Sequence, residues 1–217
     1  MKITNITHTF RSTPSKRRLT NEIVIHHQAG NEMNARQIHE MHRMRKTDSG
    51  SYWIGIAYHF VVLRSGEIQT GRPIDTVGAH AGATANGRSI GIMLTGDLDR
   101  YQPTQAQVDS LVWLIQNHLF PIYGKIAVSG HKQHMSTSCP GRFFPMDKVQ
   151  SLIQSTGSRL VINGRTVNVP VENRNGRILF QVAGENGMVW VQARGLTDAL
   201  GGSISWDGNT NTATIKV

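Results

Sequence analysis

Residues 22–30 read EIVIHHQAG, an aliphatic run followed by two histidines. Ile23, Val24 and Ile25 form a continuous aliphatic run, which is typical of a strand buried on both faces of a sheet. The paired histidines His26 and His27 stand where that run ends. Side chains at strand ends in α/β folds point into the crevice where ligands bind, so we expect chemistry at this end of the strand.

Strand-like and helix-like patterns alternate along the chain after this stretch. Asn34 and Thr104 each precede a helical periodicity, and Thr104 with Gln107 resembles a capping box. The predicted strands are 22–27, 58–63, 67–70, 89–94 and 126–129, and helices are predicted over 35–46, from Thr104 to about 119, and over 146–153. The class is therefore α/β, with a mixed β-sheet flanked by helices.

The last third of the chain has a different character. All ten histidines lie between His8 and His134, and the polar stretch 154–158 suggests a boundary. We therefore expect one domain over 1–155 and a small β-rich C-terminal domain over 156–217. In the second domain the sequence predicts an Asn163-Gly164 hairpin, a strand over 178–182, a short helix over 190–200 and a final hairpin around 207–210.

The composition restricts the partners and the location. The net charge of +9 favours an anionic partner, either nucleic acid or a bacterial wall with acidic polymers, unless it only makes the surface soluble. No RNA-binding motif, helix-turn-helix or zinc-finger spacing accompanies the charge, so we predict no nucleic-acid partner. No stretch approaches the roughly 18 apolar residues that span a bilayer, and the first 30 residues lack the apolar core of a signal peptide. We expect neither a membrane span nor a Sec signal.

Three residue positions suggest a metal site. Cys139 is the only cysteine, and it follows His131 by eight residues, just after a predicted strand. Together with His26 these side chains supply two imidazoles and one thiolate, which leaves a fourth zinc position open as a catalytic site requires. Each residue also has a plainer interpretation, as a hydrogen-bonded core histidine or an inert buried cysteine. Strand alternation does not choose between His26 and His27.

A set of motifs occurs in order at separations typical of one known family. They are 23–30 (IVIHHQAG), 57–60 (AYHF) with 64–66 (RSG), 89–92 (SIGI), 129–131 (SGH) and 138–140 (SCP). Over residues 20–153 the chain resembles the type 2 N-acetylmuramoyl-L-alanine amidases, which include many phage endolysins and are related to peptidoglycan recognition proteins. The resemblance implies the type 2 amidase fold, zinc as cofactor, and His26, His131 and Cys139 as its ligands.

The resemblance also implies a reaction and further site residues. The reaction is hydrolysis of the amide between N-acetylmuramic acid and L-alanine of peptidoglycan, on water activated by zinc. Tyr58 and Thr137 fall on the positions that hydrogen-bond the attacking water or the oxyanion, where other members carry Lys in place of Thr137. We predict substrate or proton-transfer contacts for five more residues, namely His27, His59, Arg72, His80 and Asn86. The alternatives are a packed strand aromatic for Tyr58 and an ordinary surface loop for 78–87.

The tail resembles the small stalk-type domain first named from copper amine oxidases, through 161–164 (VING), 191–194 (VQAR), 199–201 (ALG) and 205–207 (SWD). No copper is implied, because the tail has no His or Cys. We expect it to anchor the protein to the wall or to act as a spacer. The whole chain is predicted to be a monomeric phage or prophage endolysin, or a host autolysin, that accumulates in the cytoplasm and acts on the cell wall after release. The alternative is a non-catalytic peptidoglycan-binding recognition protein.

Overall fold

The computed structural model describes residues 1–154, 159–162, 165–167, 171–174, 177–184, 187–192, 197–198, 201–207 and 212–216. The chain forms two compact units, Met1–Gln150 and Ser151–Val217, and each is described by itself. Of the helices in these described residues, none is both long enough and apolar enough to cross a membrane.

A six-stranded mixed sheet forms the centre of the first unit. Its strands are β1 (Ile3–Thr4), β2 (Glu22–His27), β3 (Phe60–Val62), β4 (Ile68–Thr70), β5 (Ser89–Leu94) and β6 (Ala127–Gly130), in the order β1-β4-β3-β5-β2-β6. Every neighbouring pair is parallel except the β3–β4 hairpin. β2 and β5 are buried along their whole length, as their aliphatic runs predict. The predicted α/β class with a mixed sheet and flanking helices is confirmed.

Helix α1 (Ala35–Arg43) begins where the sequence predicts but ends three residues early. The Asn34 side chain accepts from the Gln37 amide in a capping box. At the other end the Met44 amide donates to Met41 O at 3.2 Å, so the last turn tightens to a three-residue spacing. Lys46 then pairs with Tyr52 in an isolated β-bridge, which takes the chain out of the helix.

The long helix predicted after Thr104 forms in three segments. Helix α3 (Gln105–Leu114) continues as a π-helical stretch, Ile115–Leu119, and then as the short helix α4 (Phe120–Tyr123). Pro121 has no amide hydrogen for the carbonyl four residues before it, so the regular pattern is lost there. The buried Gln107 amide group donates to Val62 O and Thr95 O, which fastens α3 to the ends of β3 and β5.

Replacing the α3 cap tests how much this helix start contributes to stability. Thr104 Oγ1 accepts from the Gln107 amide at 3.1 Å and donates to Arg64 O at 2.7 Å. We expect Thr104→Ala to lower the free energy of unfolding by about 1 kcal/mol in a denaturant titration. Thr84→Ala, an exposed position inside a helix, is the control and should change it by less than about 0.5 kcal/mol. Equal denaturation midpoints for the two variants contradict the assignment.

Two smaller departures from the prediction lie close to the site. The strand predicted over 58–63 is shortened to β3, because the chain bends at His59. Tyr58 O and His59 O still accept from the Arg72 and Gly71 amides, both at 2.8 Å, so the hairpin contact extends beyond the strand. The predicted loop 78–87 contains a short helix, α2 (Gly82–Asn86). The closing helix α5 (Met146–Gln154) forms as predicted.

The second unit holds two small sheets. They are built from β7 (Arg159–Ile162), β8 (Arg165–Val167), β9 (Val171–Arg174), β10 (Arg177–Gly184), β11 (Gly187–Gln192), β12 (Ser203–Asp207) and β13 (Thr212–Lys216). β11-β10-β9 form one sheet and β12-β13-β7-β8 the other. The predicted strand over 178–182 lies within β10, and the hairpins β7–β8 and β12–β13 are confirmed. The predicted turn at 163–164 lies outside the described residues, as do 208–210 of the predicted turn 207–210 and 155–158 of the predicted boundary near 155–159.

The helix predicted over 190–200 is wrong at its start. Trp190 lies in β11, where it pairs with Gln181 of β10 in an antiparallel register. Val189, Trp190 and Val191 all favour extended backbone, and the neighbouring strand β10 supplies the hydrogen-bond partners. Residues 197–198 are helical, while 193–196 and 199–200 lie outside the described residues.

Candidate metal centre

His26, His131 and Cys139 converge at one edge of the central sheet. His26 is next to last in β2, and His131 directly follows β6, the parallel neighbour of β2. The carboxyl ends of parallel neighbours lie at the same sheet edge, so the two imidazoles meet with ring centroids 4.6 Å apart. Cys139 Sγ lies 3.7 Å from His26 Nδ1, and one ligand atom from each residue lies within 4.8 Å of the other two.

The loop that carries Cys139 is held from two sides. Lys132 N donates to Cys139 O at 2.8 Å, which ties the loop to the turn that begins at His131. On the other side Asp99 accepts from Ser138 Oγ at 2.6 Å and from the Arg142 amide at 2.8 Å. Asp99 therefore holds the chain on both sides of the Cys139–Pro140 pair, directly before it at Ser138 and two residues after it at Arg142.

The donor set fits a zinc ion. Burial lowers the pKa of His26 and of His131, so both imidazoles stay neutral, as metal ligands must. His131 Nε2 is buried and has no hydrogen-bond partner among the described residues, an unusual state that a metal bond would satisfy. Burial raises the pKa of the Cys139 thiol to about 11, so the thiol needs a nearby cation, such as a bound metal, to ionise at neutral pH. The residues therefore suit a Cys/His₂ metal site better than a nucleophilic pair.

The neighbouring histidine, His27, faces away from this centre. Its Nδ1 accepts from the Leu98 amide at 3.0 Å, so the neutral ring carries its proton on Nε2, which lies 3.8 Å from Asp99 Oδ2. His27, Asp97 and Asp99 also have ligand atoms within 4.8 Å of one another. A ring whose Nδ1 lone pair is engaged and whose Nε2 is protonated has no lone pair for a metal, so this second cluster is not a metal site while that hydrogen bond holds.

Two residues with hydroxyl groups, Tyr58 and Thr137, lie next to proposed ligands. The Tyr58 ring centroid lies 5.1 Å from that of His26, and burial raises the pKa of its phenol. The phenol is therefore a hydrogen-bond donor at neutral pH rather than a base. Thr137 is exposed, and its Oγ1 accepts from the Cys139 amide at 3.2 Å, so the hydroxyl hydrogen points elsewhere and can be donated.

A family profile described as N-acetylmuramoyl-L-alanine amidase matches residues 16–142, which includes all of these side chains. The chain belongs to that amidase family.

Recognition proteins and phage endolysins are both similar to this chain in sequence. Peptidoglycan-recognition protein SC2 of Drosophila melanogaster is 32% identical over 141 residues, covering 60% of this chain and 75% of that protein. The endolysin of Enterobacteria phage K11 is 27% identical, covering 58% of this chain and 83% of the endolysin. Among solved structures, the N-acetylmuramoyl-L-alanine amidase LysC from Clostridium intestinale URNW superposes with a TM-score of 0.63 at 33% identity, covering 70% of this chain and 96% of LysC. The type 2 amidase fold expected from the motifs is thus confirmed.

Two of the residues predicted to contact substrate, His59 and Arg72, are buried in this amidase scaffold. His59 Nδ1 accepts from the Gly91 amide at 2.9 Å and Nε2 bonds with Thr76 O at 2.9 Å. Burial lowers the pKa of His59 to about 3. Arg72 donates to Ile56 O and to Val77 O, and burial lowers its pKa to about 10. Both side chains hold backbone segments together, and their contact with substrate stays a prediction.

His80 and Asn86, also predicted to contact substrate, lie just before α2 and at its last residue. Asn86 Oδ1 accepts from the amides of His80 and Ala81, both at 2.8 Å, and so shapes the start of that short helix. His80 is buried, and its Nδ1 lies 3.0 Å from His26 Nε2. The structure therefore brings His80 to a proposed ligand rather than to the surface.

Two carboxylates that hold the segments carrying Cys139 and His131 were missed by sequence reasoning. Asp99 holds the Cys139 loop, and its signal was its position just after a predicted strand, at the same edge as His26. Glu22 is buried at the start of β2, where its Oε1 accepts from Ser129 Oγ at 2.6 Å and lies 3.0 Å from His134 Nε2. It ties β2 to the turn that carries His131. No local pattern distinguished Glu22 from an ordinary surface glutamate.

Proposed function

We propose that this family member is a zinc-dependent N-acetylmuramoyl-L-alanine amidase that hydrolyses the bond between N-acetylmuramic acid and L-alanine in peptidoglycan. One observation supports this most, namely the convergence of His26, His131 and Cys139 within 4.8 Å. Three protein ligands of this kind are the composition of a catalytic zinc site, whereas structural sites use four. When bound, zinc supplies Lewis-acid activation of a water and of the scissile carbonyl.

The side chains around the centre donate hydrogen bonds to the reacting groups or hold the loops in place. Tyr58 donates a hydrogen bond toward the space beside His26, where the reacting carbonyl and its attacking water belong. Thr137 donates its free hydroxyl hydrogen to the oxyanion as negative charge develops there. His27 and Asp99 keep the loops around Cys139 in place. His59, Arg72 and Asn86 bond to backbone segments elsewhere in the scaffold. The contacts of His27, His59, Arg72, His80 and Asn86 with substrate stay predictions.

A recognition protein without activity is the competing function, since a 32% identical relative carries that name. Retention of Cys139 together with both histidines and Tyr58 favours the enzyme, because a receptor that only binds needs no thiolate ligand. The direct test is mass spectrometry of purified peptidoglycan after incubation with zinc-loaded protein. We expect stem peptides with a free L-alanine amino terminus, and none when a chelator is present. Sedimentation with the wall but no released peptide would make the protein a recognition protein.

Removing one hydroxyl tests the chemistry separately from the metal. We expect Tyr58→Phe to lower kcat about 100-fold, because a donor to the transition state is lost, while bound zinc stays unchanged. Thr137→Val should have an effect in the same direction. Tyr123→Phe on α4 is the matched control and should keep full activity. The role of Tyr58 is refuted when its variant turns over peptidoglycan at the rate of Tyr123→Phe.

We also propose a role for the second unit and a biological role for the whole protein, both taken from the resemblance of the motifs. The tail acts as a stalk-type module that anchors the amidase to the wall or spaces it from another surface. Matched relatives named as endolysins support a role in cell-wall degradation and cytolysis, as a phage or prophage lysin or a host autolysin, with the protein accumulating in the cytoplasm as a monomer before release.

A further inference from the structure

A second buried imidazole stands directly behind His26. His80 is 7% exposed, and its ring lies at 82° to the ring of His26 with centroids 5.0 Å apart. His80 Nδ1 and His26 Nε2 are 3.0 Å apart, a normal hydrogen-bond distance. The two residues are 54 positions apart in the chain, so only the fold makes them partners.

The direction of this hydrogen bond follows from what His26 faces on its other side. His26 Nδ1 lies 3.7 Å from Cys139 Sγ, within the group of proposed zinc ligands. A neutral imidazole that offers a lone pair at Nδ1 carries its hydrogen on Nε2. His26 Nε2 therefore donates and His80 Nδ1 accepts. The hydrogen of His80 is then on its own Nε2, a buried atom with no hydrogen-bond partner among the described residues.

The scaffold contains a slot shaped for the His80 ring. A Cβ atom added to Gly91 of β5 would lie 2.5 Å from His80 Cδ2, and one added to Gly78 would clash with the same ring. Neither glycine has a positive φ, so the backbone conformation does not require glycine at these positions. The missing side chains instead leave room for the His80 ring. Asn86 fixes the other side by accepting from the His80 amide. The two glycines and Asn86 therefore hold both the ring and the backbone of His80.

We propose that His80 is a positioning residue, which fixes the tautomer and the orientation of His26 so that Nδ1 presents its lone pair to zinc. This inference rests on the proposed zinc amidase. A buried acceptor behind a histidine ligand raises metal affinity because the wrong tautomer and the wrong ring rotation are disfavoured in the free protein. His80 thus acts on zinc through His26.

The first test needs no variant. Long-range ¹H–¹⁵N NMR of the metal-free wild-type protein reports which ring nitrogen of His26 carries the proton. We expect the proton on Nε2 of His26, with the Nδ1 of His80 unprotonated. A His26 that is protonated on Nδ1, or that exchanges evenly between the two tautomers, overturns the proposal.

The second test is zinc affinity, measured by competition with a chromophoric chelator. We expect His80→Ala to weaken zinc binding about 10- to 100-fold, and His80→Asn, whose Oδ1 can take the place of Nδ1, to restore most of it. His39→Ala is the matched control, since His39 is equally buried but hydrogen-bonds to Ile56 N and Thr9 O, away from the centre. An unchanged zinc Kd in His80→Ala, or equal losses in His80→Ala and His80→Asn, overturns the proposal.

These readouts separate the two inferences because neither uses peptidoglycan. Zinc binding that depends on His80, in a protein that releases no stem peptide, would end the amidase proposal and leave the positioning role intact. If the protein releases stem peptides but His80→Ala does not change its zinc affinity, the amidase proposal stands and the positioning role of His80 is refuted.

Discussion

Cys139→Ser is expected to abolish amidase activity and most zinc binding while the chain stays folded. One of three protein ligands is lost, which removes on the order of 3 kcal/mol of binding free energy, or about 100-fold or more in zinc affinity. The fold tolerates the change because serine is smaller and its hydroxyl can accept from the His27 amide, which now donates to Cys139 Sγ at 3.4 Å. The unfolding free energy should fall by only about 1 kcal/mol.

Three measurements on one preparation check this expectation. Bound zinc is counted after dialysis against buffered zinc, activity is followed as loss of turbidity of a cell-wall suspension, and stability is read from a denaturant titration. Ser136→Ala, at an exposed position in the same loop, is the control and should match wild type in all three. Wild-type zinc content and activity in Cys139→Ser would remove Cys139 from the ligand set and leave the catalytic interpretation without its main support.

Acid is expected to destabilise the first unit strongly, through histidines that are buried in neutral form. Burial lowers the pKa of His42 to about 3, helped by Arg45 and Arg72, and burial lowers the pKa of His59 to about 3 as well. Below the ordinary histidine pKa of about 6.5 the unfolded chain takes up protons that the folded chain refuses until about pH 3. Stability is therefore complete above about pH 6.5 and is lost as the pH falls through that window.

The size of the loss makes it easy to measure. Each histidine contributes about 1.4 kcal/mol per pH unit, so the two together remove about 5 kcal/mol between pH 6.5 and pH 4.5. That is comparable to the whole stability of many domains. The lowered pKa values of His26 and His80 act in the same direction.

Urea titrations between pH 4.5 and pH 7.5, with a chelator present throughout, measure this dependence. We expect His42→Asn to flatten it, because asparagine can still accept from the Ala57 amide, as His42 Nδ1 does at 3.1 Å, but does not titrate. Equal denaturation midpoints of the wild-type protein at pH 7 and pH 4.5 would show that the buried histidines are not neutral in the folded state.

Several features of this fold could be predicted from local sequence. The strands β2 and β5 follow from aliphatic runs that fit only buried strands, and the α1 and α3 starts follow from Asn34 and Thr104, whose side chains satisfy free amides within three residues. The helix predictions failed where pairing with a neighbouring extended segment overrides the helical pattern. Trp190 lies in β11 because β10 offers it a hydrogen-bond ladder, and α1 ends early because Lys46 finds Tyr52.

His26 and His27 show most clearly which features follow from local sequence and which depend on the tertiary structure. The sequence by itself determined that His26 and His27 end a buried strand and must face opposite sides, since alternation is a local property of extended backbone. Resemblance to known amidases selected His26, and the sequence carried no sign of what orients it. Only the tertiary structure decided that His27 takes the Leu98 amide and that His26 backs onto His80, because hydrogen bonds between residues 71 and 54 positions apart form only when the whole sheet has assembled.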